Sequence, residues 1–269
     1  MSRPSHAARF AVAALALAAT TALGATATAS AAPRQPIEYD ALGDSYASGY
    51  GVPPYEECGR SQSAYAVQLD GRMKIDLDDF VACAGATTTS LVAGGQLNAL
   101  DAETDLVTVT VGGNDIGWSS AVLACLGGSD KQCADALTVT RARITTALPG
   151  LLDTVYTQIA GRAPGAHVVV TGYPRLFSPE YGALLGASVA EQKELNDGAD
   201  LLNAVIAQAA AEHGFQFVDV TKRFLGHGVN APEAWLLDPF DPGSFHPNAD
   251  GYKAYTAALT AAVNPSRLR

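Results

Sequence analysis

Ser45 stands where an apolar run stops. Ile37 to Leu42 reads as a buried strand, Gly43 and Asp44 follow it, and the serine falls at the strand's carboxyl end. Open parallel α/β sheets take ligands in the crevice outside their strand ends, where a hydroxyl can be exposed while its own N–H points into the same space. The ordinary reading of Gly43-Asp44-Ser45 is a turn glycine followed by residues that cap a helix. Two further strand ends carry groups of the same kind. Gly85 follows the run Asp79 to Ala82, and a glycine lets a main-chain N–H approach a substrate oxygen with no side chain in the way, although a turn needing positive φ explains it equally simply. Asn114 stands just past Gly112-Gly113, where it and Asp115 fit a cap or an Asx-turn. His246 lies in the irregular stretch Asp238 to Asn248, just ahead of the last helix.

The elements that must position these residues alternate between strand and helix. Asp105 to Val111 is the clearest strand, rich in β-branched residues; Ala166 to Pro174 and Phe215 to Val220 read as two more. Helical patterns cover Ala64 to Leu69, Leu91 to Leu100 as one modest helix, and Ala134 to Gly161 with a break or kink at Pro149. Ser188 with Glu191 fits a capping box for the next helix, which Gly214 closes, and Asn248 caps the last. His167 opens a strand and His213 sits in a helix's last turn, both structural placements, while His227 reads as a surface loop residue. The pattern predicts a three-layer α/β/α domain with a mostly parallel sheet.

Residues 1–32 are set apart from that domain, which is expected to span 33–269. Arg3, His6 and Arg9 precede an apolar run from Phe10 to Leu23, and small residues with options such as Ala29-Ser30-Ala31 follow. This is the layout of a secretory signal peptide, and the run is short for a membrane span, so the mature protein is expected to be secreted without a membrane anchor. Cleavage after Ala32 removes Arg3 and Arg9 and no acid, moving the net charge from −10 to −12. So acidic a chain, without a Lys/Arg cluster, argues against nucleic acid and against anionic membranes as partners. It is expected to act as a monomer.

Cys58, Cys83, Cys125 and Cys133 all follow the leader, and an even count in an exported chain favours disulfides over metal ligation. Of the three possible pairings, Cys58 with Cys83 and Cys125 with Cys133 closes the shortest loops, which makes Ala121 to Cys133 an excursion pinned by its own bridge. No C-x-x-C spacing suggests zinc, and no D-x-D-x-D-G loop supports a calcium-stabilised protein.

Taken together, Gly43-Asp44-Ser45, Cys83-Ala84-Gly85-Ala86-Thr87, Gly112-Gly113-Asn114-Asp115 and Phe245-His246-Pro247-Asn248, in this order, resemble the SGNH (GDSL-type) hydrolases, in detail the secreted Streptomyces-type lipases, esterases and phospholipases. The resemblance covers essentially the whole mature chain and implies a flavodoxin-like fold, no cofactor and no metal. It implies Ser45 as nucleophile and His246 as its base. The N–H groups of Ser45 and Gly85 and the amide of Asn114 would then form the oxyanion hole. The family's last motif is Asp-x-x-His, but Gly243 stands three residues before His246. In relatives with that gap a main-chain carbonyl orients the imidazole, so the Gly243 carbonyl is expected here, with Ser244 nearby; Asp241 is the alternative if the loop bends. Relatives often carry a third bridge ahead of this loop, and 224–242 has no cysteine, so the loop is expected to be less tightly held. The implied substrate is an acyl or lipid ester; a polysaccharide acetylesterase and a non-catalytic binding protein are the competing readings. Tyr46, Tyr50, Tyr55 and Trp118 flank the site, either lining an acyl groove or simply packing.

Overall fold

The computed structural model describes Met1 and residues 35–263; the remainder of the predicted leader lies outside the described residues. The first strand, β1 (Ile37–Gly43), runs directly into a single helical turn, α1 (Ser45–Ser48), capped by the side chain of Asp44, which accepts the Tyr46 N–H. A short helix, α2 (Tyr65–Leu69), leads to β2 (Ile75–Phe80), then α3 (Thr88–Ala93) and β3 (Leu106–Thr110). Three helices follow, α4 (Trp118–Gly127), α5 (Asp130–Thr146) and α6 (Leu148–Arg162). The chain finishes through β4 (His167–Thr171), α7 (Val189–Glu212), β5 (Gln216–Val218) and α8 (Ala249–Ala262).

Among the described residues the strands form one sheet in the order β2-β1-β3-β4-β5, and every pairing is parallel. The period of two sorts the core into two layers. Tyr39, Ala41, Leu106 and Val169 pack with residues of α2 and α8, whereas Leu42, Val107, Val109 and Val170 pack with α3 and α6. Helices on both faces are what such a sheet needs, because its strands are apolar on both sides.

This strand order places the switch between β1 and β3, from which the chain winds outward in opposite directions, and the crevice there is the expected ligand position. Ser45 follows β1, Gly85 follows β2 and Asn114 follows β3, so all three stand at the same edge of the sheet.

Some boundaries differ from expectation for physical reasons. The second strand starts at Ile75, ahead of the predicted run Asp79 to Ala82, because an edge strand pairs on one side and tolerates the exposed Asp76 and Asp78. Main-chain pairing nevertheless continues past Phe80, from the Val81 N–H to the Ala41 carbonyl and from the Cys83 N–H to the Gly43 carbonyl. The predicted helix Leu91 to Leu100 is two pieces, α3 and a tight turn at Gln96–Ala99, separated at Gly94-Gly95. The excursion Ala121 to Cys133 is helical, with its disulfide joining α4 to the first turn of α5. Pro149 stands in the first turn of α6, where a missing N–H costs nothing. The other bridge, Cys58 to Cys83, ties the segment after α1 to the end of β2, so both pairs are as expected.

Candidate active site

The turn between β1 and α1 is built from main-chain constraints. Gly43 has φ +131, and a Cβ there would lie 2.3 Å from the Thr110 carbonyl oxygen, so only glycine allows β1 and β3 to close at this level. The Asp44 N–H then donates to that same carbonyl at 2.8 Å. Gln96 grips the turn from beneath: its Oε1 accepts the Gly43 N–H at 2.8 Å and its Nε2 donates to the Gly43 carbonyl at 3.0 Å. Tyr252 adds its hydroxyl, which donates to the carbonyls of Ser45 at 3.2 Å and Tyr50 at 2.7 Å.

Ser45 Oγ lies 2.8 Å from His246 Nε2. On the far side of the ring, Nδ1 lies 3.0 Å from the Ser244 carbonyl and 3.2 Å from the Gly243 carbonyl. Carbonyls only accept, so Nδ1 carries the proton and Nε2 presents its lone pair to the serine hydroxyl. The expected Gly243 carbonyl is thus joined by that of Ser244, the nearer of the two. Asp241 is exposed, and among the described residues its carboxylate makes no hydrogen bond to His246. Burial pushes the His246 pKa below the ordinary imidazole value, and the Ser244 and Gly243 carbonyls offset that in part.

The loop bearing the histidine is held without a third disulfide. Leu237 and His246 pair through their main chains, Phe245 N–H donates to the Leu237 carbonyl, and Asn248 N–H donates to that of Trp235. Phe245 takes a left-handed φ of 64, costly for a side chain this large, and the Tyr46 hydroxyl holds it by donating to its carbonyl at 2.7 Å. The His246 ring lies between Tyr46 and Tyr50, with centroids 5.2 and 5.0 Å away.

Three donors belong to residues that line the same cleft as the serine. Neither the Ser45 N–H nor the Gly85 N–H meets a protein acceptor among the described residues. Gly85 has φ +81, and the side on which a Cβ would stand is open. Asn114 Nδ2 gives one hydrogen to the Ala86 carbonyl at 2.9 Å, which orients the amide and leaves its second hydrogen available. Asp115 fastens the two loops together, accepting the Thr88 N–H and, at 2.6 Å, the Thr88 hydroxyl.

Asp44 does more than cap α1. It is buried, and the Tyr173 hydroxyl donates to its second oxygen while accepting the Gly113 N–H at 3.1 Å. Burial pushes its carboxyl up to about 7, against the hydrogen bonds from Tyr173 and Tyr46, which favour the ionised form. Gln96, Tyr173 and Tyr252 carry no local sequence signal; each reaches the site only through packing.

Ser45, Gly85, Asn114, His246 and Asp44 border one cleft of about 420 Å³, whose apolar wall is formed by Trp118, Val122 and Leu123 of α4, Leu176, and Ala199 and Leu202 of α7. Tyr46 and Tyr50 also line it, whereas Tyr55 stacks on Tyr50 from outside. The other described histidines stand elsewhere: His227 stacks on Trp235, His167 bonds to Gln216 and His213 to Asp153. Asp40, Asp78 and Asp79 gather at the β1/β2 edge, but both Asp40 oxygens already accept, from Thr104 and from the Asp79 N–H, and none of the three borders the cleft.

The sequence profile of the GDSL-like lipase/acylhydrolase family matches residues 41–254. Lipase 1 of Streptomyces coelicolor is 39% identical over 259 residues, covering 93% of this chain and 96% of its own length. Among solved structures, the extracellular lipase of Streptomyces rimosus superimposes with a TM-score of 0.80 at 38% identity, over 84% of this chain and 99% of that one. Phospholipase A1 of Streptomyces albidoflavus NA297 gives the same TM-score of 0.80 at 36% identity, over 85% of this chain and 100% of that one.

Proposed function

Because the chain belongs to the GDSL-like lipase/acylhydrolase family and is a carboxylic ester hydrolase, we propose that it cleaves acyl-lipid esters, of the lipase or phospholipase A type, through an acyl-serine at Ser45. The observation that carries this reading is the 2.8 Å contact between Ser45 Oγ and His246 Nε2 at the head of an apolar cleft.

His246 Nε2 takes the hydroxyl proton as Ser45 Oγ attacks the ester carbonyl carbon. The carbonyl oxygen becomes an oxyanion, received by the N–H groups of Ser45 and Gly85 and the Asn114 amide; loss of one such donor lowers turnover by on the order of 10²–10³. The tetrahedral intermediate collapses, the carbon–oxygen bond to the alcohol breaks, and His246 returns its proton to the leaving oxygen. Water then repeats the sequence on the acyl-serine and releases the acid. The Ser244 and Gly243 carbonyls fix the tautomer throughout, a Ser-His dyad with main-chain support in place of a carboxylate.

An apolar wall of this extent suits an acyl chain and is more than an acetyl group would use, which favours lipid esters over polysaccharide acetates. The relatives named lipase and phospholipase A1 support the same substrates. Removal of residues 1–32, secretion of a domain spanning 33–269 and action as a monomer complete the reading; the bridges Cys58–Cys83 and Cys125–Cys133 fit an oxidising destination.

The test is hydrolysis of p-nitrophenyl esters of graded chain length and of a phosphatidylcholine by the wild type and by Ser45→Ala. Turnover that disappears in the variant supports the reading. Equal inertness of both proteins on every ester overturns it.

A further inference from the structure

Gly198 lies inside α7, a 24-residue helix, and is buried. Glycine is a poor residue for a helix interior, so its place there calls for a packing reason. A Cβ at this position would lie 2.9 Å from both Cη2 and Cζ3 of Trp118. The outer edge of the indole therefore rests directly on the α7 backbone, in the one place where a methyl group would push it off.

Trp118 opens α4 four residues after Asn114 and borders the same cleft as Ser45. Its ring packs against the core layers on both faces of the sheet, and Ala199 and Leu202, beside and one turn beyond Gly198, also line the cleft. The indole thus reaches from α4 to the α7 backbone and forms part of the cavity's apolar wall. An atom added at Gly198 forces the ring away from α7.

We propose that the indole of Trp118, seated on Gly198, is the wall against which the acyl chain ends, so that this pair sets the chain length accepted. The inference rests on the ester-hydrolase reading, with an acyl chain in the cleft, and adds the residues that measure it. Trp118 would contact substrate; Gly198 would act only by positioning the indole.

The experiment compares kcat/KM for p-nitrophenyl butyrate and p-nitrophenyl palmitate in the wild type, Trp118→Ala, Trp118→Phe, Gly198→Ala and the double variant Gly198→Ala/Trp118→Ala. Removing one methylene's worth of room in an apolar pocket changes discrimination by about 10-fold or more. Gly198→Ala should therefore lower the palmitate-to-butyrate ratio by about 10-fold, Trp118→Ala should raise it by a similar factor, and Trp118→Phe should fall between wild type and Trp118→Ala. In the Trp118→Ala background the added methyl has no ring to move, so Gly198→Ala should leave the ratio unchanged; this non-additivity is absent if the glycine matters only for helix stability. Active single variants with the wild-type ratio overturn the proposal, as does a Gly198→Ala effect that persists without the indole. Inertness of the wild type on both esters, with Ser45→Ala alike, overturns instead the ester-lipid reading on which it stands.

Discussion

Ser45 and His246 are separated by 201 positions in the chain and meet at 2.8 Å, so the chemistry of either depends on a loop arriving correctly from far away. In the proposed mechanism the imidazole must be neutral at Nε2 to accept the serine proton. Burial lowers its pKa, which means it stays neutral to lower pH than a free imidazole does, and the acid limb of kcat/KM should therefore inflect below about 6.5. Since the Nδ1 proton is held by two carbonyls, Asp241→Asn should leave both that inflection and kcat/KM within about twofold of wild type. A pH–rate profile of the two proteins on one soluble ester checks this, and a thousandfold loss in a folded Asp241→Asn would replace the dyad by a triad. The placement of Ser45, Gly85 and Asn114 after strands and of His246 ahead of a capped helix was legible from local pattern, whereas their proposed roles came from the family resemblance. Asp44 was legible as a cap, but its burial against Tyr173 was not, because that partner comes from the end of β4.

At the scale of elements, the turn that carries Ser45, the proposed nucleophile, depends on a segment that reads locally as helix. Gly94 and Gly95 stop α3, and the tight turn that follows directs Gln96 inward instead of along a helix face. Its amide then meets both polar groups of the Gly43 peptide, which are buried with it. Gln96→Leu would leave the Gly43 N–H without an acceptor, at a cost of about 1–3 kcal/mol. Urea unfolding should record that loss, with reduced ester turnover because the Ser45 turn has lost its tether; an unchanged midpoint would remove Gln96 from this account. The same logic explains the His246 loop. Its cysteine content suggested slackness, but main-chain pairing with Trp235 and Leu237 and the Tyr46 hydroxyl restrain it, and hydrogen bonds of that kind leave no pattern in composition.

For the molecule as a whole, charge and burial act together. The chain carries a net −10, and two of its carboxylates, Asp40 and Asp44, are buried within or beside β1. Burial raises Asp40 to about 6 and Asp44 to about 7, so the folded protein holds these protons more tightly than the unfolded chain does. The stability they contribute is complete below the ordinary carboxyl value near pH 4 and is lost as pH rises through about 6 and then about 7. Asp40→Asn, which lies outside the cleft, should remove the first part of that decline. Comparing the urea midpoints of wild type and variant at pH 4 and at pH 7 tests it, and parallel changes in the two proteins would show that Asp40 does not titrate with folding.

The alternation of strands and helices, the capped helix starts, the cysteine pairing and the order of the strand-end residues were all determined by the sequence, because each is set by periodicity, propensity or local spacing. Tertiary structure alone decided that Ser244 shares the Nδ1 proton with Gly243, that Asp241 stands apart, that Gln96 clamps the turn before Ser45 and that Trp118 rests on Gly198. The last two are contacts between elements distant in the chain, settled by how a twisted sheet brings its helices together; the first two lie within one irregular loop whose course is set by main-chain pairing with Trp235 and Leu237, and no local pattern of residues encodes either.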